Sequence, residues 1–249
     1  KPLLAHVYET AMKIEHRDIY IVYGCGGEQV KNTLKNSKVC WVKQEEQLGT
    51  GHAVQQVLPN IPKSDDILIL YGDVPLISEA SLIKLVKAAT NSGFSLLTAY
   101  FDEPYGYGRI VRDGDDNVTA IVEEKDATVE QQNICEVNAG FMVISAEILN
   151  LQIDSIKNKN KQNEYYLTDM VEIAVKNNIK VSPILAESAI EVQGINTRSQ
   201  LSETERYYQI IQAHHLMDKG VGIIDPSRFD LRGDLEIGLD NEIDINVVM

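Results

Sequence analysis

The chain has 249 residues, 44% hydrophobic and 24% charged, and its 37 acids against 23 bases give a formal charge of -14. That composition suits one large α/β domain or two smaller ones with a filled core. So acidic a surface repels a nucleic-acid backbone, and the absence of a long apolar run or a signal peptide argues against membrane insertion and secretion. Cys25, Cys40 and Cys135 are odd in number, lack CxxC spacing and adjoin apolar runs. They read as reduced core thiols of a cytoplasmic protein.

Leu4, Val7, Ala11 and Ile14 recur at helical spacing straight after Lys1-Pro2, with no initiator Met. The chain thus opens like the middle of a domain, and a truncated or missing leading segment is expected. Ile19–Tyr23 reads as a buried strand, with a helix from Glu28 to Leu34. A strand over Val39–Val42, a helix over Gly51–Leu58 and a strand over Ile67–Tyr71 follow. Ser78 is placed to cap the next helix, with Ser81 at its third position, and Phe94–Phe101 is a fourth strand. This alternation implies a mainly parallel sheet with helices on both faces.

After Asp102 the rhythm changes. Arg109–Arg112 and Val118–Val122 flank the turn Asp113–Asn117 as a hairpin, and Glu136–Ile144 is another strand. Leu167–Val175 reads as a helix, Val181–Leu185 as a strand, and Thr197–Lys219 as a long helix stopped by Gly220. In the tail, Leu231, Ile237, Ile243 and Met249 lie six residues apart, a period that suits the coils of a β-helix.

In open α/β sheets ligands bind beyond the carboxyl ends of the strands. Four clusters fall there. Gln44–Ala53 joins a strand to a helix; Gly49 and Gly51 permit close approach of a flat ligand, or Thr50 simply caps the helix. Asp73, in Tyr71-Gly72-Asp73, ends an apolar strand where it could hold a divalent cation against a phosphate, or serve a turn. Pro104–Arg109 with Val122–Asp126 and Glu136–Gly140 could place Glu123 and Asn138 on sugar hydroxyls or an amide. Taken alone, that third cluster reads as a hairpin with solvated charges. Asn196, before the long helix, reads as a cap or as an oxygen ligand to Mg²⁺. His214 and His215 are adjacent on a helix and diverge by about 100°, so they are not a chelating pair. Gly24-Cys25-Gly26-Gly27 lacks the lysine of a P-loop and the third glycine of a dinucleotide fingerprint.

Seven motifs occur in one order. They are Gln44-x-x-Gln47–Ala53, Leu70–Ile77, Gly106–Ile110, Ile121-Val122-Glu123-x-Lys125-Asp126-Ala127, Glu164–Asp169, Glu191–Asn196 and Arg228–Gly233. Together they resemble the N-acetylglucosamine-1-phosphate uridylyltransferase domains of bifunctional bacterial enzymes whose other half is a glucosamine-1-phosphate acetyltransferase. The resemblance implies a Rossmann-like nucleotide-diphospho-sugar transferase fold over residues 1–198, a linker helix over 199–219, and the start of a left-handed parallel β-helix over 220–249. It implies that Gln44, Gly49 and Thr50 bind uracil, and that Tyr71, Gly72 and Asp73 line the nucleotide-sugar site. It also implies that Asp73 and Asn196 ligate Mg²⁺, that Gly108, Glu123 and Asn138 hold N-acetylglucosamine, and that Lys125 approaches the sugar phosphate. The implied partners are UTP, N-acetylglucosamine-1-phosphate and UDP-N-acetylglucosamine, with a homotrimer built through the β-helix.

Such families open with a strand and a glycine-rich, Arg- and Lys-bearing loop that binds the triphosphate, and this chain begins after that segment. Without it, a gap in the sheet, low stability and essentially no uridylyl transfer are expected, and so short a tail should pack poorly. Two other readings compete. A metal-dependent glycosyltransferase usually carries a DxD-type motif, whereas Val74-Pro75 follows Asp73. A non-catalytic interaction module would not need the retained ligand set.

Overall fold

Every apolar run read as a strand forms one in the computed structural model, which describes residues 1–34 and 38–249. The chain divides into two units, Lys1–Gln193 and Gly194–Met249. The first begins with α1 (Leu3–Ala11), β1 (Tyr20–Tyr23), α2 (Gly27–Thr33), β2 (Cys40–Lys43), α3 (Thr50–Val57), β3 (Asp66–Ile69), α4 (Glu79–Ser92) and β4 (Phe94–Tyr100). It continues with β5 (Arg109–Arg112), β6 (Val118–Val122), α5 (Val129–Gln132), β7 (Glu136–Ser145), α6 (Ala146–Gln152), α7 (Asp169–Lys176) and β8 (Ser182–Leu185).

The larger sheet runs β6-β5-β7-β4-β8, with β3 also on β7. The expectation of a mainly parallel sheet is corrected here. β7 pairs antiparallel with β3, β4 and β5, and β5 with β6; only β4–β8 is parallel in this sheet. The strands β3, β4 and β8 do share one direction, but β7 returns from the hairpin and inserts between β3 and β4. Its side chains alternate between two cores. Met142 and Ile144 join Leu149, Met170, Val171 and Ala174 from α6 and α7. Phe141 and Val143 join Leu82, Leu85 and Ala89 from α4. Helices therefore cover both faces, as the alternation implied.

β1 and β2 form a separate parallel pair. Ile19 and Tyr23 carbonyls accept from Cys40 and Gln44 amides, so ladder alternation turns the backbone of Tyr20 and Val22 away from β2. On β3, the Asp65 carbonyl accepts from the Ala146 amide, so Asp66 and Leu68 turn away from β7. Both free edges line a cavity of about 1090 Å³ walled by α1 and α3 side chains, including Leu4, Val7, Val54 and Val57. An Arg17–Asp65 ion pair at 3.0 Å and a Tyr20 hydroxyl to Asn60 carbonyl bond at 3.2 Å join the amino-terminal ends of the two strands.

The core-thiol reading is also corrected: Cys25, Cys40 and Cys135 are free but all exposed. Each sits where a strand starts or has just ended, not within its packed length.

The second unit holds α8 (Arg198–Asp218), β9 (Gly222–Ile223) and β10 (Glu242–Ile243). Thr197, not Asn196, caps α8: its hydroxyl accepts from the Gln200 amide while Gln200 Oε1 accepts from the Thr197 amide. Gly220 ends the helix with φ +89°, which favours glycine. β9 and β10 pair in parallel, Gly222 with Glu242, and a second parallel bridge joins Asp230 to Val248. The tail packs better than expected, because Ala213 and Leu216 of α8 cover the buried Phe229 and Ile243. Leu239 and Val248 are exposed.

Glu191 secures the start of α4. Its carboxylate is buried and accepts from the Ser78 amide (3.2 Å), the Ser81 hydroxyl (2.8 Å) and the Glu187 amide (2.6 Å). Ser78 is the helix cap, accepting from the Ser81 amide at 3.1 Å. Hydrogen bonds to a charged group contribute roughly 1.5–3 kcal/mol, and unsatisfied buried donors cost about 1–3 kcal/mol each. Glu191→Ala is therefore expected to lower unfolding free energy by at least about 2 kcal/mol in denaturant titration. A loss under about 0.5 kcal/mol would contradict this role.

Candidate active site

The carboxyl ends of β2 and β3 release Gln44–Gly49 and Leu70–Asp73. Because β7 runs the other way, its amino-terminal residues, Asn138 and Gly140, lie at the same end as the carboxyl ends of β3 and β4. The β5–β6 hairpin continues beyond that end, since only Arg109 of β5 pairs with β7.

The segment Gln44–Thr50 is held without exposing a side-chain cap. Gln44 is buried; its Nε2 donates to the Gly49 carbonyl at 3.1 Å and contacts His52 Nδ1 at 2.9 Å. Backbone bonds then lace this segment to a second one: Tyr165 amide to Leu48 carbonyl (2.7 Å) and Gly51 amide to Tyr165 carbonyl (2.8 Å). Gly49 has φ +112°, and a Cβ there would lie 2.6 Å from the Tyr165 carbonyl oxygen. No other residue fits that position. Thr50 does not cap α3, since Gly49 is its cap residue. The Thr50 hydroxyl instead accepts from the Leu167 amide at 3.0 Å.

The rest of the rim follows by contact. The Tyr71 phenol adjoins Thr50, which favours its ionised form. A Cβ on Gly140, where φ is +86°, would lie 2.9 Å from the Tyr71 ring, so the ring lies against bare backbone. Asn138 is buried; its Oδ1 accepts from the Gly140 amide at 3.1 Å and its own amide donates to the Gly108 carbonyl at 2.8 Å. A Cβ on Gly108 would lie 3.4 Å from both Glu123 carboxylate oxygens. Glu123 accepts from the Thr168 hydroxyl at 2.8 Å, next to Leu167 and so back to Thr50. Gln44, Gly49, Thr50, Tyr71, Gly108, Glu123 and Asn138 thus belong to one closed ring, with Gly72 and Asp73 leading out of it. Lys125 is exposed and donates to Gln162 Oε1 at 2.5 Å.

Asp73 is half-buried and lies in a turn, with no hydrogen bond or ion pair among the described residues. A bare carboxylate is a hard oxygen donor that suits Mg²⁺, which binds through one or two carboxylates together with phosphates and water. No cluster of three or more His, Cys, Asp or Glu side chains suited to a metal occurs among the described residues. Asn196 belongs to the second unit, where it is exposed and its amide donates to Gln200 Oε1 at 2.8 Å.

Charge in the ring is managed by burial. Burial, then the field of Glu123, push the Tyr71 phenol up to about 12, opposed by Thr50 and reinforced by Asp73, so it stays neutral. Burial also raises Glu123, opposed by the Thr168 bond and reinforced by Asp126. Asp169 is pushed up to about 6, first by burial and then by Glu172, Glu123 and Asp126. Sequence reading gave no role to His52, Gly140, Thr168 or Asp169. Thr168 and Asp169 did stand inside a quoted motif, and a Thr-Asp pair opening a helix was the available signal.

The family model for the MobA-like NTP transferase domain matches residues 1–129. The bifunctional protein GlmU of Idiomarina loihiensis is 48% identical over 248 residues, covering 100% of this chain and 54% of that protein. The GlmU of Acinetobacter baumannii is 46% identical over 249 residues, covering 100% and 55%. The chain spans about half the length of these curated relatives. A UDP-glucose pyrophosphorylase complexed with UDP-glucose superposes with TM-score 0.66 at 17% identity, over 84% of this chain and 87% of that one. HddC from Yersinia pseudotuberculosis, complexed with GMP-PN, gives 0.59 at 18% identity, over 83% and 86%. At these identities the structures establish the shared fold, an α/β fold with a central sheet.

The raised Asp169 has a consequence for pH. Its folded pKa, about 6, exceeds its ordinary 3.8, so the folded state holds the proton more tightly. The stability it contributes is complete below pH 3.8 and is lost as pH rises through about 6. Asp169→Asn should therefore flatten the decline of melting temperature across that window. Parallel profiles for parent and variant would refute the assignment.

Proposed function

The chain belongs to the family of MobA-like NTP transferase domains, and from that premise we propose that it transfers the uridylyl group of UTP to N-acetylglucosamine-1-phosphate. The products are UDP-N-acetylglucosamine and pyrophosphate. A phosphate oxygen of the sugar phosphate attacks the α-phosphorus in line, a new P–O bond forms, and the bond to the β-phosphate oxygen breaks as pyrophosphate leaves. This chemistry needs positioning and charge neutralisation more than a protein nucleophile.

The observation that carries the reading is the closed ring from Gln44 through Tyr71 and Asn138 to Glu123, with the bare Asp73 carboxylate leading out of it. Gln44 Nε2, already spent on the Gly49 carbonyl and His52, fixes the loop that presents Gly49 and Thr50 to uracil. Asn138 Nδ2 donates to nothing among the described residues and is free for a sugar oxygen. Glu123 accepts from sugar hydroxyls, and Gly108 admits the ring by having no side chain. Asp73, the bare carboxylate of this unit, would hold Mg²⁺, which would supply positive charge to the polyphosphate. The curated relatives are named as bifunctional proteins, and the solved pyrophosphorylase contains a nucleotide sugar. The second of these supports a nucleotide sugar as the substrate class.

For the whole protein we extend the proposal to an acetyltransferase half on a left-handed β-helix that assembles as a trimer. The parallel pairings of Gly222 with Glu242 and Asp230 with Val248 support it. They lie 20 and 18 residues apart (242 − 222 and 248 − 230), close to three six-residue segments per coil. A monomer in sedimentation of the full-length protein would contradict the trimer.

Pyrophosphate release in the full-length polypeptide tests the site. Asp73→Ala should cut turnover on the order of 10²–10³-fold, the scale for losing a preorganised electrostatic group. Normal turnover of that variant at saturating Mg²⁺ would remove Asp73 from the metal site. Asn138→Ala should raise the KM for sugar phosphate roughly 2- to 10-fold, the worth of one hydrogen bond, and leave that for UTP nearly unchanged. Equal losses for both substrates would mean that Asn138 acts on the fold.

A further inference from the structure

Arg109 is among the largest fully buried side chains, 2% exposed, yet it carries a charge. The hairpin forms as read, but its Arg109 charge is buried and not solvated. One Nη donates to the Tyr107 carbonyl; the other donates to Glu124 Oε2 at 2.6 Å and to the Gln132 carbonyl at 3.4 Å. The same Glu124 oxygen accepts the Gly106 amide at 3.3 Å. A single carboxylate oxygen thus ties down Gly106 and Arg109, and Arg109 reaches back to Tyr107 between them. The Tyr107 ring is stacked on Phe101, centroids 4.8 Å apart. Gly108, the residue left inside this tie, packs toward Glu123 and bonds to Asn138.

A buried ion pair adds little net stability over an apolar pair of the same size, so its presence points to geometry. Glu123 and Glu124 are consecutive at the end of β6; one bonds Thr168 in the ring and the other bonds Arg109 behind the loop. The backbone that carries the loop's brace is therefore the backbone that carries Glu123.

We propose that Arg109 and Glu124 are positioning residues of the sugar subsite: without touching substrate, they fix the Gly106–Gly108 loop against Glu123 and Asn138. The proposal rests on the uridylyl-transfer reading for what binds there, while the brace itself stands on geometry. Glu124→Gln keeps an acceptor for the Gly106 amide but leaves the Arg109 charge unpaired. Arg109→Lys keeps the charge but loses the planar fork that serves three acceptors at once. Neither residue lies on the uracil side of the ring.

The test uses both variants in the full-length protein. Steady-state pyrophosphate release should show the KM for N-acetylglucosamine-1-phosphate rising roughly tenfold, with that for UTP within about twofold, since small misplacements of a binding group are costly. Hydrogen exchange at the Gly106 and Tyr107 amides should accelerate by at least about tenfold while β7 amides do not change. A purely structural role would lower the active fraction and leave both KM values alone. That result, or an equal rise in both, overturns the proposal, as does unchanged exchange in the loop. A parent protein with no turnover, whose loop exchange still responds to the substitutions, would instead sink the functional reading and keep the brace. Should Glu124→Gln fail to fold, Arg109→Lys, which preserves the charge pair, carries the same comparison.

Discussion

The structure depends on β7 running against its neighbours. Its carboxyl half holds β3 and β4 apart, and its amino half meets β4 and β5. Its alternating side chains feed both cores. The reversal also does chemistry's positioning, because it brings Asn138 and Gly140, which begin a strand, to the edge where the other strands end. A parallel strand in that slot would carry the same residues to the far side of the sheet. Asn138 and Gly140 meet the segments that leave β3 only because one strand is inverted.

Within the ring, close approach matters more than side-chain bulk. Gly49 leaves room for the Tyr165 carbonyl, Gly140 for the Tyr71 ring and Gly108 for the Ile121 side chain beside Glu123. The first of these contacts fixes the spacing of segments more than a hundred residues apart in the chain, at Gly49 and Tyr165. Burial raises both Glu123 and Asp169, and the neighbouring charge of Asp126 adds to each. An anionic ligand in such surroundings needs local compensation of its charge.

The strand periodicity, the Ser78 cap, the hairpin and the glycine loops were legible because each is a local pattern with a local cause. The pairing of β7 was not, since nothing within Glu136–Ser145 states which neighbours it will meet or in which direction. Cys40 looked buried beside Trp41 and Val42, but β2 is an edge strand and leaves it exposed. Glu191 carried no structural reading beyond its motif, and Glu124 read as a solvated acid. Their partners, Ser78 and Ser81 for one and Gly106 and Arg109 for the other, are remote or cross a hairpin. Asn196 was read beside a helix start, but Thr197 with Gln200 forms a complete capping box and takes that task. α6 was missed because Ser145 ends a strand and caps the helix in the same residue, leaving no loop to mark the change.

The inverted strand also sets an order on the ribosome. β3 and β4 leave the exit tunnel before the strand that separates them, and 45 residues (145 − 100) lie between the end of β4 at Tyr100 and the end of β7 at Ser145. At translation rates of roughly 5–20 residues per second, that interval lasts roughly 2–9 seconds. Throughout it, β3 and β4 lack the strand that pairs with both in the folded chain. They have the same direction and could pair with each other, so the nascent chain passes through a window in which a wrong parallel sheet competes with the right antiparallel one.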